Sequence, residues 1–350
     1  MSEGMCMNVE IITIHSMNYG NRLQNYALQE YLKGKGMTVR TSFGHKKRLV
    51  ALRKIRDVLL KVYRKTDKHL FQFFDTKIQW KPIDLDPYCN DDRIDYYIAG
   101  SDQIWNPLFA SCREDKFLTF APQEKRIAYA ASMGVDELPA SSKEFFRERL
   151  LQFKAISVRE TSAKQVIRDL CGLDVPVLLD PTLLLGADEW DKATRTGVLK
   201  VKEPFVVKYF LGKRHPLYEA YIEEYARAHG CKVIDITQHE NCGLEGVGPD
   251  EFVQLFRHCQ AAFVDSFHGT VFSVIFRKPF LTFARPAEEG FGDMNSRFQT
   301  LLGMLQLTDH YVTGQRLPED KALVADYDAV HRIIARERKK TEEFFAQALS

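Results

Sequence analysis

The stretch Gln260–Phe283, QAAFVDSFHGTVFSVIFRKPFLTF, decides the fold class. Ala261–Val264 is a short apolar run of strand length. Asp265, Ser266, Phe267, His268 and Gly269 break it with polar groups. Thr270–Phe276 is apolar again, with Val271, Val274 and Ile275 at helical spacing. Arg277-Lys278-Pro279 stops that helix, and Pro279–Phe283 reads as the next strand. The unit is strand, turn, helix, strand. The turn then lies at the carboxyl edge of a parallel sheet, where open α/β sheets bind ligands. N–H groups at the helix start favour anions there. Ser266 is placed to cap the helix. A histidine in the first turn, here His268, is placed to exchange a proton near neutrality. A lone histidine in such a turn also often only bonds a backbone carbonyl. Lys278 adds positive charge if the chain folds back on the helix.

The same alternation extends outward. Val9–His15 is an apolar run followed by Ser16–Arg22, a helix through Leu32, and a strand over Met37–Ser42. The turn has neither the GxGxxG nor the GxxxxGK[ST] spacing that marks nucleotide loops. Asn21 and Arg22 suit a polar ligand, or equally turn formation and helix capping. Further strands are predicted at Ile94–Ala99, Ile127–Ser132, Ala155–Val158 and Val175–Leu179, with helices at Ser141–Phe153 and Thr161–Cys171. The Ile94–Ala99 strand ends in Gly100-Ser101-Asp102-Gln103-Ile104-Trp105-Asn106-Pro107. Ser101 and Asp102 can bond hydroxyls, and Trp105 can stack on a sugar face or simply fill a core. Arg159, at a strand end like His268, suits a carboxylate or phosphate through a bidentate pair, or a structural carboxylate such as Glu160.

Periodicity pauses over Leu185–Lys202 and restarts with strands at Phe205–Phe210 and Lys232–Ile236, each followed by a helix. This predicts an α/β protein of two Rossmann-like domains facing a cleft, residues 1–185 and 186–320. Asn295-Ser296-Arg297-Phe298 opens another helix, with Ser296 as cap and Arg297 toward the cleft. A charged helix over residues 321–350 is expected to cross back to the first domain.

Composition narrows the function. The 350 residues carry 49 basic and 47 acidic side chains, a net charge of +2, which argues against a dedicated nucleic-acid binder. The seven cysteines are scattered without a CxxC pair. No zinc or redox motif is read, metal ligands are expected to be none, and a reducing cytoplasm suits them. No signal peptide or membrane span is read. Residues 46–68 are strongly basic, with Leu49, Leu52, Ile55, Leu59 and Val62 along one side of a helix. One reading is peripheral contact with the anionic inner face of the membrane; the other is a solvated face packed on its own domain.

Several phrases together resemble the polysaccharide pyruvyl transferase family. They are Asn18–Gln29 (NYGNRLQNYALQ), Gly100–Pro107, Ile156–Glu160 (ISVRE), Leu179–Leu184 (LDPTLL), Asp265–Thr270 and Asn295–Phe298, in order over Val9–Leu307. The resemblance implies the architecture of the B-type glycosyltransferases, with the acceptor on the first domain and the donor on the second. It implies transfer of the pyruvyl group of phosphoenolpyruvate onto two hydroxyls of a sugar or lipid-linked oligosaccharide, as a cyclic ketal. No cofactor beyond that donor substrate is implied. It places donor contact or chemistry on Arg159 and His268 and, less directly, on Lys278. Chemistry then suggests His268 as general acid, Asp102 for the acceptor hydroxyl, and Ser266 and Arg297 near the donor anions. Where several members carry Arg-Leu-His, this chain has Ser266-Phe267-His268, one guanidinium fewer. The competing classes are a B-type glycosyltransferase with a nucleotide-sugar donor and a non-catalytic carbohydrate-binding protein.

Overall fold

A computed structural model describes residues 6–16, 18–45, 67–78, 80–84, 90–195, 197–238, 246–285, 295–314, 317–319 and 323–350. The basic segment falls almost wholly on residues 46–66, outside the described residues, as does its proposed membrane contact. No described helix is long and apolar enough to cross a membrane. The chain divides into two compact units, Met1–Leu184 with Thr341–Ser350, and Leu185–Lys340.

The first unit is built on a parallel sheet, here sheet A. Its strands are β1 (Asn8–Ile12), β2 (Thr38–His45), β3 (Trp80–Asp84), β4 (Tyr96–Ala99), β5 (Arg126–Ala131) and β6 (Ala155–Val158), in the order β3-β2-β1-β4-β5-β6. Helices α1 (Tyr19–Gly34), α2 (Asp67–Lys77), α3 (Ala140–Leu150) and α4 (Thr161–Cys171) connect them. β1, β4 and β5 read as near-continuous apolar runs because a parallel sheet is covered on both faces. Ile11, Ile12, Ile98, Ala99 and Ala128 are fully buried. Two details depart from the sequence reading. Val175–Leu179 forms no named strand; only Val177 bridges Val158. β3 (WKPID) carries a proline and two charges, which fits its place at the sheet edge.

The second unit holds sheet B: β7 (Phe205–Tyr209), β8 (Lys232–Asp235), β9 (Ala261–Val264), β10 (Phe280–Phe283) and β11 (Tyr311–Val312), ordered β11-β10-β9-β7-β8 and parallel throughout. Its helices are α5 (Ala187–Ala193), α6 (Pro216–Ala228), α7 (Pro249–His258), α8 (Phe267–Ile275) and α9 (Ser296–Met304). The stretch Gln260–Phe283 is β9, α8 and β10 of this sheet. Gly269 lets α8 lie close on β9: a Cβ there would stand 3.0 Å from Val264 Cγ1. A last helix, α10 (Tyr327–Ala348), ends among first-unit residues. There Phe345 packs against Tyr129 and Tyr31, and Thr341 Oγ1 lies 3.2 Å from the Tyr129 hydroxyl.

Each strand order reverses once. In sheet A the reversal falls between β1 and β4, in sheet B between β7 and β9. Loops diverge from the carboxyl ends of such a strand pair and leave the position where doubly wound sheets take ligands.

Candidate active-site groups in each unit

At the reversal in sheet A, one run of polar contacts joins five loops. The Ser16 hydroxyl donates to Asn21 Oδ1, and Asn21 Nδ2 donates to Asp102 Oδ2. Asp102 Oδ1 also accepts from Gln103 N at 2.9 Å and lies 3.5 Å from Arg159 Nη2. Arg159 Nη1 donates to Asp180 Oδ2 at 2.6 Å. Asp180 accepts further from Ser101 Oγ at 3.2 Å and from Thr182 N and Oγ1 at 2.9 and 2.6 Å. Burial works to lower the Arg159 pKa, but Asp180 and Asp102 outweigh it, so it sits above its ordinary value. Asp102 has φ 72, a left-handed conformation that aspartate tolerates better than most residues. Its carbonyl accepts from Ile104 N and Ser132 N, which hold the turn. The Asp102 side chain keeps 11% exposure against 2% for Arg159 and 0% for Asp180. It is the acid through which this run meets solvent.

The structure thus brings together Asn21, Ser101, Asp102 and Arg159, with Asp180 as a partner that sequence reasoning did not single out. Two other expected ligand groups are elsewhere. Trp105 is fully buried, stacked on Phe117 at 5.6 Å, and its indole N–H donates to Lys116 O at 2.9 Å. It is a core residue and offers no face to a sugar. Arg22 is also buried, tied to Asp75 Oδ1 at 2.5 Å and to Ser16 O at 2.6 Å. It joins α2 to the loop after β1 and serves the fold.

At the reversal in sheet B, Ser266 is the N-cap of α8 and accepts from Gly269 N at 3.4 Å. His268 follows in the first turn, 7% exposed, edge-on to Phe267. The end of β10 delivers a residue the sequence reading passed over, Arg285. Its Nε donates to Asp265 O at 2.9 Å, while its backbone N and O bond the Asn295 side chain at 3.1 and 2.9 Å. Arg285 therefore ties the loop before α8 to the N-cap of α9. In the first turn of α9, Ser296 Oγ is buried with no hydrogen-bond partner among the described residues, and the Arg297 guanidinium stands 5.9 Å from the Phe267 and Phe298 rings. The starts of α8 and α9 lie together at this edge, joined through Arg285 and Asn295, with His268 and Arg297 in their first turns, and helix starts suit an anion.

Lys278 does not join them. α8 returns the chain from the carboxyl to the amino edge of sheet B, and Lys278 precedes β10 at that far edge. There its backbone carbonyl accepts from the Tyr327 hydroxyl, and burial lowers its amine pKa. Nearness in sequence to His268 is undone by the helix between them. Among the described residues, no group of three or more His, Cys, Asp and Glu side chains is placed to hold a metal ion.

The family model described as polysaccharide pyruvyl transferase matches residues 18–286, well over half of the chain. The chain belongs to the polysaccharide pyruvyl transferase family. The match takes in Asn21, Asp102, Arg159, Ser266, His268 and Arg285. No curated protein matches. Among solved structures, a glycosyltransferase from Rickettsia africae ESF-5 superposes with a TM-score of 0.47 at 11% identity, covering 98% of each chain. A putative UDP-N-acetylglucosamine 2-epimerase from Listeria monocytogenes does so with 0.47 at 13% identity, covering 97% of this chain and 98% of that one.

Proposed function

We propose that the protein transfers the pyruvyl group of phosphoenolpyruvate onto two hydroxyls of a sugar in a polysaccharide or its precursor, giving a cyclic pyruvate ketal. Family membership supports a transferase acting in polysaccharide modification. The observation that carries the finer reading is the position of His268, in the first turn of α8, whose preceding loop Arg285 ties to the start of α9.

The donor carries a phosphate and a carboxylate. Arg297 and the two helix starts suit those charges, and Arg285 holds the loop before α8 against the start of α9. His268 supplies the proton for the methylene carbon. The double-bond electrons form the new C–H bond and leave a cationic centre at the carbon bearing the phosphate. The first sugar hydroxyl adds to that carbon and gives up its proton. The carbon–oxygen bond to phosphate breaks, and phosphate leaves with the electron pair. The second hydroxyl adds to the resulting oxocarbenium carbon, loses its proton and closes the ketal. We assign the acceptor hydroxyl to Asp102 and Asn21. Arg159, being buried between two carboxylates, is assigned to orient Asp102.

The test is incubation with phosphoenolpyruvate and a panel of bacterial glycans, following phosphate release and the ketal methyl resonance by NMR, beside thermal unfolding. Phosphoenolpyruvate at about 100 times its dissociation constant adds roughly 2.7 kcal/mol of stability. The absence of both donor stabilisation and phosphate release with every glycan would reject the reading.

A further inference from the structure

Converging main-chain N–H groups beside a guanidinium, at a strand-order reversal, are the chemistry that holds a phosphate or carboxylate. The second unit has such a place at the ends of β7 and β9, and its own chain fills it. Asp265 Oδ1 accepts from Leu211 N at 2.7 Å, and Oδ2 accepts from Gly212 N at 2.8 Å. Arg285 stands over the same group, with Nε 3.5 Å from Oδ2. The fit is close: a Cβ at residue 212 would stand 3.2 Å from Oδ2 and 3.5 Å from Arg285 Cδ, so glycine there permits the approach. Asp265 is 2% exposed, and both its oxygens are engaged.

We propose that Asp265 is a specificity-determining residue: its carboxylate occupies the anion position at the ends of β7 and β9 and bars a diphosphate from it. This rests on the reading of the second unit as the donor side, and narrows it. A diphosphate brought to Leu211 N and Gly212 N meets a fixed negative charge that already holds both donors, and like charges brought together without water repel. A small donor with one phosphate and one carboxylate needs no part of that position, since the starts of α8 and α9 and Arg297 lie outside it. The consequence is discrimination against nucleotide-diphosphate donors, built into a side chain that touches no substrate.

The experiment is isothermal titration of the full chain with inorganic pyrophosphate and with uridine diphosphate, beside phosphoenolpyruvate. Wild type is compared with Asp265→Asn, Asp265→Ala and Asp265→Asn/Arg285→Gln. Wild type is expected to bind neither diphosphate measurably. Asp265→Asn keeps an acceptor oxygen and the size of the residue but loses the charge, and is expected to gain pyrophosphate affinity by on the order of tenfold or more. Arg285→Gln should remove that gain. Circular dichroism establishes that each variant is folded, and the asparagine variant serves if the alanine variant is not. Wild type binding pyrophosphate as tightly as the variants, or folded variants gaining nothing, overturns the proposal. Binding of phosphoenolpyruvate is a separate result. A chain that ignores phosphoenolpyruvate yet gains pyrophosphate on loss of Asp265 rejects the pyruvyl reading and keeps this one; the opposite pair of results does the reverse.

Discussion

The carboxyl edges of the two sheets occupy equivalent places in the fold and solve different problems. At the edge of sheet A a run of polar side chains bonds side chain to side chain, from Ser16 through Asn21, Asp102 and Arg159 to Asp180. At the edge of sheet B, Arg285 and Asn295 fix the backbone, and Ser296 Oγ is left without a hydrogen-bond partner among the described residues. The first arrangement holds a shape and shows solvent a single carboxylate. The second brings two helix starts together, with His268 and Arg297 in their first turns. Strand-end position alone therefore does not tell a binding group from a bracing one; what each side chain bonds does.

The sharpest way to break this contrast is Arg159→Ala. It leaves Asp180 fully buried with its main cation gone, and removal of one partner from a buried ion pair costs about 3–5 kcal/mol. Urea denaturation measures it, and a loss under about 1 kcal/mol would mean the run is not an energetic unit. His268→Gln tests the other edge. Stability should hardly change, while pyruvyl transfer falls by roughly 10²–10⁴ as expected for loss of a proton donor. A large stability loss with activity retained per folded molecule would place His268 among the bracing groups.

The first turn of α7 sharpens the comparison through pH. Burial, then the neighbouring Asp250, pushes the Glu251 carboxyl up to about 7 from 4.5. The folded chain then binds a proton that the unfolded chain releases, so the stabilisation is present at low pH and is lost as pH rises from about 4.5 through about 7. Unfolding curves across that range should show stability falling, and Glu251→Gln should flatten the slope. Arg195, which bonds both carboxylates, opposes the shift. Ser266→Ala removes the cap of α8 and should lower stability by about 1 kcal/mol. The smallest effect is expected for Lys278→Ala, since its side chain is at the far edge. Donor-induced stabilisation should match wild type, and its loss would return Lys278 to the donor side.

The α/β alternation was legible because buried parallel strands and amphipathic helices leave different periods, and Gln260–Phe283 carries both within one unit. His268 was legible because a polar break between a strand and a helix lands at a known edge. Lys278 was misplaced for a geometric reason: sequence separation ignores that a helix carries the chain across the sheet. Trp105 stood between two readings because a tryptophan in a turn reads the same whether it faces a sugar or Phe117, and the core reading holds. Arg285 gave no local signal. Only the pairing of β10 beside β9 carries it to the loop before α8, and that pairing is a long-range property. Asp180 lies in the LDPTLL phrase, but two of its four hydrogen bonds, from Ser101 and Arg159, come from residues distant in sequence.

The return of Thr341–Ser350 to the first unit has a consequence for synthesis. Phe345 and Thr341 pack on Tyr129, so the first unit's core receives its last side chains only after every residue of the second unit has been translated. The nascent first unit waits with Tyr129 and Tyr31 uncovered, exposed to chaperones and proteases, until Thr341–Ser350 emerge and seal it.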